Sequence, residues 1–170
     1  MDELNRLNAD EFKQAKKAPI VVVLDNIRSM HNVGSIFRTS DAFAIEKLYL
    51  CGITAQPPHR DIEKAALGAT ESVAWEHHQN TNVLCQKLKQ EGYTLLSIEQ
   101  VEGSLSLENY APDPSKKYAI VMGNEVEGVS QDVINGSDAS IEIPQFGTKH
   151  SFNVSVTTAI VLWHFRTVRS

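Results

Sequence analysis

The sequence predicts a three-layer α/β/α domain built on a mainly parallel sheet. Short apolar, β-branched runs alternate along the chain with stretches of helical periodicity. The strongest run, Ile20-Val21-Val22-Val23-Leu24, is apolar at every position, as a strand covered on both faces requires. The runs end abruptly in polar loops marked by Gly, Asn and Pro.

A length of 170 residues is that of one domain with a substantial core. The chain is expected to divide into a helical arm, residues 1–18, and a domain, residues 19–170. Residues 2–17 predict an amphipathic helix with Leu4, Leu7, Phe12 and Ala15 as its apolar stripe. Lys13, Lys16 and Lys17 stand near its C-terminal end, where the helix dipole favours positive charge. Pro19 stops the helix, and the strand 20–24 follows. After a polar loop, Asn32 is read as the N-cap of a helix carrying Val33, Ile36, Phe37 and Ala44. Gly34, in its first turn, admits close approach of a backbone or a ligand. Arg38, off the apolar face of this helix, is a candidate anion contact.

Residues 47–51 predict a second strand closed by Gly52. His59, Arg60 and Lys64 fall on a loop and short helix; they are surface residues or a substrate-facing basic edge. Residues 73–76 predict a short strand. Residues 82–90 predict a helix ended by Gly92 in a left-handed cap. Residues 93–98 predict a strand, and 99–115 a loop with at most one helical turn. Two short strands follow, 119–122 and 141–143, feeding the loops GNEVEG and PQFGTKHSFN. The last helix, 153–169, places Val156, Ala159, Ile160 and Trp163 on one face. Loops at the carboxyl ends of parallel strands are where ligands bind, so these two loops are expected to build one site.

Several function classes are disfavoured. The net charge of -5 argues against coating nucleic acid by bulk electrostatics, while leaving room for a local basic patch. No run reaches the roughly eighteen apolar residues of a membrane span. The charged N-terminal stretch lacks the apolar core of a secretory signal, and Cys51 and Cys85 lack metal-type spacing; two reduced thiols in the cytoplasm are expected. The six histidines, with the pair His77-His78, show no ligand spacing, so no metal site is predicted. There is no G-x-G-x-x-G turn and no G-x-S-x-G elbow. Gly123 and Gly128 have P-loop spacing, but Val129-Ser130 stands where Lys-Ser/Thr is needed. What remains is Asn32, Gly34 and Arg38; Gly123, Asn124, Glu125 and Gly128; Ser151 and Asn153. Such loops suit a neutral or cationic small molecule, with Arg38 left for a phosphate-bearing partner.

The pattern N-x-G-x-x-x-R at Asn32, Gly34 and Arg38 resembles the first motif of the SpoU–TrmH family of RNA methyltransferases, in the SPOUT superfamily. VMGNEVEGVS (121–130) resembles its second motif, and IEIPQFGTKHSFNVSV (141–156) its third. Each is weak alone; three in order, covering most of the chain, are specific. The resemblance implies a C-terminal deep trefoil knot, which periodicity never suggests. It implies S-adenosyl-L-methionine as cofactor, walled by Ile98, Met122, Gly123, Ile143 and Phe152. It implies a homodimer whose active site forms at the subunit interface, with Arg38 delivered from the partner, and it assigns part of that apolar surface to Trp163 and Phe165. The implied reaction is methyl transfer to a ribose 2′-hydroxyl of RNA, with tRNA favoured over rRNA. The implied catalytic set is Arg38, Asn32, Glu125, Ser151 and Asn153. Glu125 would orient Arg38 or Asn32; the two asparagines could equally be helix caps. Phe152, Gln145 and Ser29-Met30 depart from the family pattern, the first two at the cofactor wall. A knotted dimer that binds RNA or cofactor without turnover, and a base-nitrogen methyltransferase, are the competing expectations.

Overall fold

The computed structural model describes residues 6–168. Seven parallel strands form one sheet in the order β3-β2-β1-β6-β4-β7-β5. They are β1 (Ala18–Asp25), β2 (Ile45–Cys51), β3 (Trp75–His78), β4 (Tyr93–Ile98), β5 (Leu105–Ser106), β6 (Lys117–Met122) and β7 (Ala139–Glu142). Every paired strand runs parallel to its neighbour, so the expected mainly parallel sheet is wholly so among the described residues. The two-residue edge strand β5 and the adjoining 3-10 turn lie within the stretch expected to be loop.

Alternation along β1 explains the three layers. Ile20, Val22 and Leu24 face one core, which holds residues of α2 (Met30–Ala42), α3 (Arg60–Ala66), α4 (Ala69–Ser72) and α7 (Val154–Thr167). Val21 and Val23 face a second core, completed by α5 (Thr81–Gln90) and α6 (Gln131–Gly136). Both faces of β1 are therefore covered, which is why its sequence reads as an unbroken apolar run.

The N-terminal helix α1 is short, Ala9–Gln14, with Asn8 and Glu11 forming a reciprocal capping box. Leu4 of the expected stripe lies outside the described residues, Leu7 is exposed, and Ala15 is the C-cap; Phe12 alone is buried. Lys17 lies over the Phe12 ring, 4.1 Å from its centroid. The α6 helix has no counterpart in the sequence reading.

The final helix corrects a second expectation. Its buried face is Val154, Thr158, Val161, Leu162 and Phe165. The stripe read from periodicity is the other face: Val156 is 46% and Trp163 64% exposed, and Ala159 and Ile160 are half-buried. Phe165 is fully buried in its own chain, stacked on Tyr110, so it is not interface surface.

Candidate active site

β1, β6, β4 and β7 lie side by side, and their carboxyl ends deliver the loops of interest to one edge of the sheet. The first is the turn after β1. Asp25 is buried there, and its carboxylate accepts from Thr81 Oγ1 at 2.6 Å and from the Ser130 N–H at 2.8 Å. That pair of bonds ties the end of β1 to α5 and to the loop after β6.

Ser29, not Asn32, caps α2: its hydroxyl accepts from the Asn32 N–H at 3.1 Å. Two capping residues stand within four positions, and the earlier one takes the role. The Asn32 side chain is thereby released, buried in the first turn. Its amide donates to Glu125 at 3.3 Å, and its carbonyl oxygen accepts from Asn153 Nδ2 at 3.1 Å. Glu125 also accepts from the N–H groups of Arg28 and Ser29, each at 3.0 Å. Asn153 does cap its helix, accepting from the Ser155 N–H at 2.9 Å while holding Asn32. One chain of hydrogen bonds, Glu125 to Asn32 to Asn153, thus joins the three loop sites read from sequence. Burial pushes the Glu125 carboxyl up, but the Arg28 and Ser29 N–H groups, its own N–H and Asn32 outweigh it and leave it below the ordinary value.

The GNEVEG segment folds back on itself. Asn124 and Gly128 exchange backbone hydrogen bonds of 3.0 and 2.9 Å, and Asn124 Nδ2 donates to the Asn26 carbonyl at 2.6 Å. The glycines here serve that fold-back. A Cβ on Gly123 would stand 2.4 Å from Gly128 C, and one on Gly128 would stand 2.1 Å from Glu99 Oε2. Gly34 likewise admits backbone: a Cβ there would meet the Ile62 carbonyl of α3 at 2.3 Å. Close approach is expected of glycine at these positions; the approaching atoms are the protein's own.

A cavity of about 380 Å³ opens beside this loop. Ile98, Met122, Gly123, Ile143 and Phe152 all line it, together with Glu125, Ser151 and Asn153. Its volume falls in the range of about 300–1,000 Å³ typical of small-molecule sites. Ser151 is exposed, as is Phe152. Arg38 does not line the cavity: it is exposed on α2, and no hydrogen bond or ion pair engages its side chain among the described residues. Glu125 therefore orients Asn32 and not Arg38 within one chain. Two residues at the site escaped the sequence reading. Asp25 and Glu99 find their partners 30 to 105 positions away, a separation no local pattern encodes. No group of His, Cys, Asp and Glu among the described residues is placed to hold a metal.

The profile of the SpoU rRNA Methylase family matches residues 19–163. The chain belongs to this family. It is 30% identical over 159 residues to the tRNA (guanosine(18)-2′-O)-methyltransferase of Aquifex aeolicus, covering 90% of this chain and 71% of that protein. It is 29% identical over 160 residues to the 23S rRNA (guanosine-2′-O-)-methyltransferase RlmB of Neisseria meningitidis, covering 94% and 63%. Among solved structures, the AdoMet-bound rRNA methyltransferase of Sinorhizobium meliloti superposes with a TM-score of 0.82 at 25% identity, over 92% of this chain and 59% of that one. The TrmH/SpoU tRNA-modifying enzyme of A. aeolicus superposes at 0.83 and 26%, over 95% and 82%. The chain thus spans roughly three fifths to four fifths of the relatives it matches. The family's matched segment takes in all three loops and both walls of the cavity.

Proposed function

We propose that this SpoU-family chain is an S-adenosylmethionine-dependent RNA (ribose-2′-O)-methyltransferase. The observation that carries the reading is the hydrogen-bond chain Glu125–Asn32–Asn153, which locks the three family motifs together at the mouth of the cavity. The cavity fits the cofactor in volume and in kind: Ile98, Met122, Ile143 and Phe152 give it apolar walls, and the Gly123–Gly128 turn supplies backbone polar groups. When bound, S-adenosylmethionine supplies an electrophilic sulfonium methyl. Asn32, buried and fixed at both ends of its amide, holds the loops in place, and Ser151, which lines the cavity, positions the ribose hydroxyl. Arg38 stays protonated and is a poor literal base. It holds the phosphate beside the target ribose and stabilises the alkoxide as the proton leaves to phosphate or water.

That role requires Arg38 to come from a second subunit, because it lies outside its own cavity. The exposed Val156 and Trp163 and half-buried Ala159 and Ile160, with Phe43, the C-cap of α2, 6.4 Å from Trp163 between ring centroids, support a homodimer. The trefoil knot of the C-terminal segment, the division into an arm 1–18 and a methyltransferase domain 19–170, and action in the cytoplasm belong to the same proposal; the free, buried Cys51 and Cys85 are in keeping with a reducing compartment. A tRNA substrate is favoured over rRNA, since the chain spans 71% of the Aquifex aeolicus tRNA enzyme against 63% of the Neisseria meningitidis rRNA enzyme. The test is methyl transfer from tritiated cofactor to separate tRNA and rRNA pools from cells lacking the protein. Wild type should label one pool. Arg38→Ala should lose labelling at least a hundredfold while binding cofactor normally, and retained labelling would remove Arg38 from the mechanism.

A further inference from the structure

The lining of the cavity is predominantly acidic. Glu99, Glu125 and Glu142 all line it; His150 is the one basic side chain beside them, and no Lys or Arg lines it among the described residues. Each carboxylate is held by neutral donors. Glu99 accepts from the Val129 N–H at 3.0 Å and from its neighbour Gln100 at 3.2 Å. Glu142 accepts from Ser104 Oγ at 2.6 Å. Glu125 accepts from Arg28, Ser29 and Asn32 as described. No ion pair neutralises any of the three among the described residues. Hydrogen bonds of this kind fix carboxylates in place without cancelling their charge.

The position of Glu99 is built into the fold. Its Oε2 occupies the space a Cβ on Gly128 would need, and Gly128 has φ +71°, a left-handed conformation that glycine adopts freely. The loop after β6 is thus shaped to receive this carboxylate at the end of β4.

We infer that Glu99 and Glu142 make the cavity selective for charge, so that it holds the sulfonium cofactor in preference to its thioether product. The inference rests on the methyltransferase reading. S-adenosylmethionine carries one net positive charge, which methyl transfer removes, leaving neutral S-adenosylhomocysteine of almost the same shape. A cavity that recognised only the adenosyl group and the apolar walls would retain both alike. Fixed carboxylates in the lining would distinguish them, and a partly enclosed site weakens that field less than bulk water does. Loss of the charge then favours release of the product and entry of fresh cofactor.

The test is calorimetric binding of three probes to the full chain: S-adenosylmethionine; sinefungin, a cation with an amine in place of the sulfonium methyl; and S-adenosylhomocysteine. Wild type should bind both cations at least fivefold more tightly than the neutral product, with a gap that narrows as salt rises. Glu142→Gln keeps an acceptor for its bond from Ser104, and Glu99→Gln keeps one for the Val129 N–H while giving up the longer bond from Gln100. Each should weaken both cations about three- to tenfold and leave S-adenosylhomocysteine within twofold, which also shows that the cavity is intact. Equal weakening of all three probes would make these residues shape-givers only and overturn the inference. So would wild-type affinities without charge preference. A wild-type protein that binds none of the three refutes the methyltransferase reading itself.

Discussion

Replacing Glu125 with Ala removes the acceptor that holds the turn after β1, the first turn of α2 and the loop after β6 in one place. The side chain accepts three hydrogen bonds from other residues, two exposed ones from the Arg28 and Ser29 N–H groups and a partly buried one from Asn32. Bonds at an exposed site contribute about 0.5 kcal/mol each and the partly buried one about 1 kcal/mol, giving a loss of about 2 kcal/mol. For a domain of this size that lowers the melting temperature by about 4–8 °C. The loss should depend on pH. The folded carboxyl lies below the ordinary 4.5, so its stabilisation is present above pH 4.5 and is lost as pH falls through the folded value. Thermal unfolding followed by circular dichroism at pH 7 and at stepwise lower pH measures both effects. Combining it with Asn32→Ala should cost less than the sum of the two single changes, by a coupling of about 0.5–1 kcal/mol. A melting temperature within 1 °C of wild type at pH 7, or a difference that grows on acidification, would refute the tie between the loops.

Gly34→Ala sets helix propensity, which favours Ala by about 1 kcal/mol, against a Cβ 2.3 Å from the Ile62 carbonyl. The clash should win by about 1–3 kcal/mol, seen as a lower urea midpoint. Burial, opposed by a Thr81 hydrogen bond and assisted by Asp25, pushes the Cys51 thiol up to about 12; burial does the same for Cys85. Native protein at pH 8 should therefore show no fast reaction with a thiol reagent, and urea should release two equivalents. Trp163→Glu with Val156→Asp alters only unburied positions, so it should leave the fold intact by circular dichroism yet shift the mass in light scattering from dimer to monomer. A dimer that survives both changes would move the interface elsewhere.

Much of this fold was legible because strands buried on both faces write their own pattern. Residues 93–98 match β4 residue for residue, and the run 20–24 lies inside β1. The failures have physical causes. The last helix is apolar on two faces, so periodicity identified a stripe without telling which one the chain buries for itself. Asn32 looked like a cap because capping chemistry is local, whereas its bonds to Glu125 and Asn153 span 93 and 121 positions. Gly123 and Gly128 signalled tight approach correctly, but a glycine does not record what approaches it: here a backbone and the Glu99 carboxylate. The α6 helix, six residues ending in Gly136, is too short to display a stripe.

The most direct measurement is nucleoside mass spectrometry of RNA methylated by the purified protein. RNA from cells lacking the chain is incubated with isotope-labelled cofactor, digested and compared with an untreated control. The expected product is a single labelled 2′-O-methylnucleoside, absent from the Arg38→Ala reaction. A label on a base nitrogen, or no label in any RNA although the cofactor binds, would contradict ribose methylation by this site.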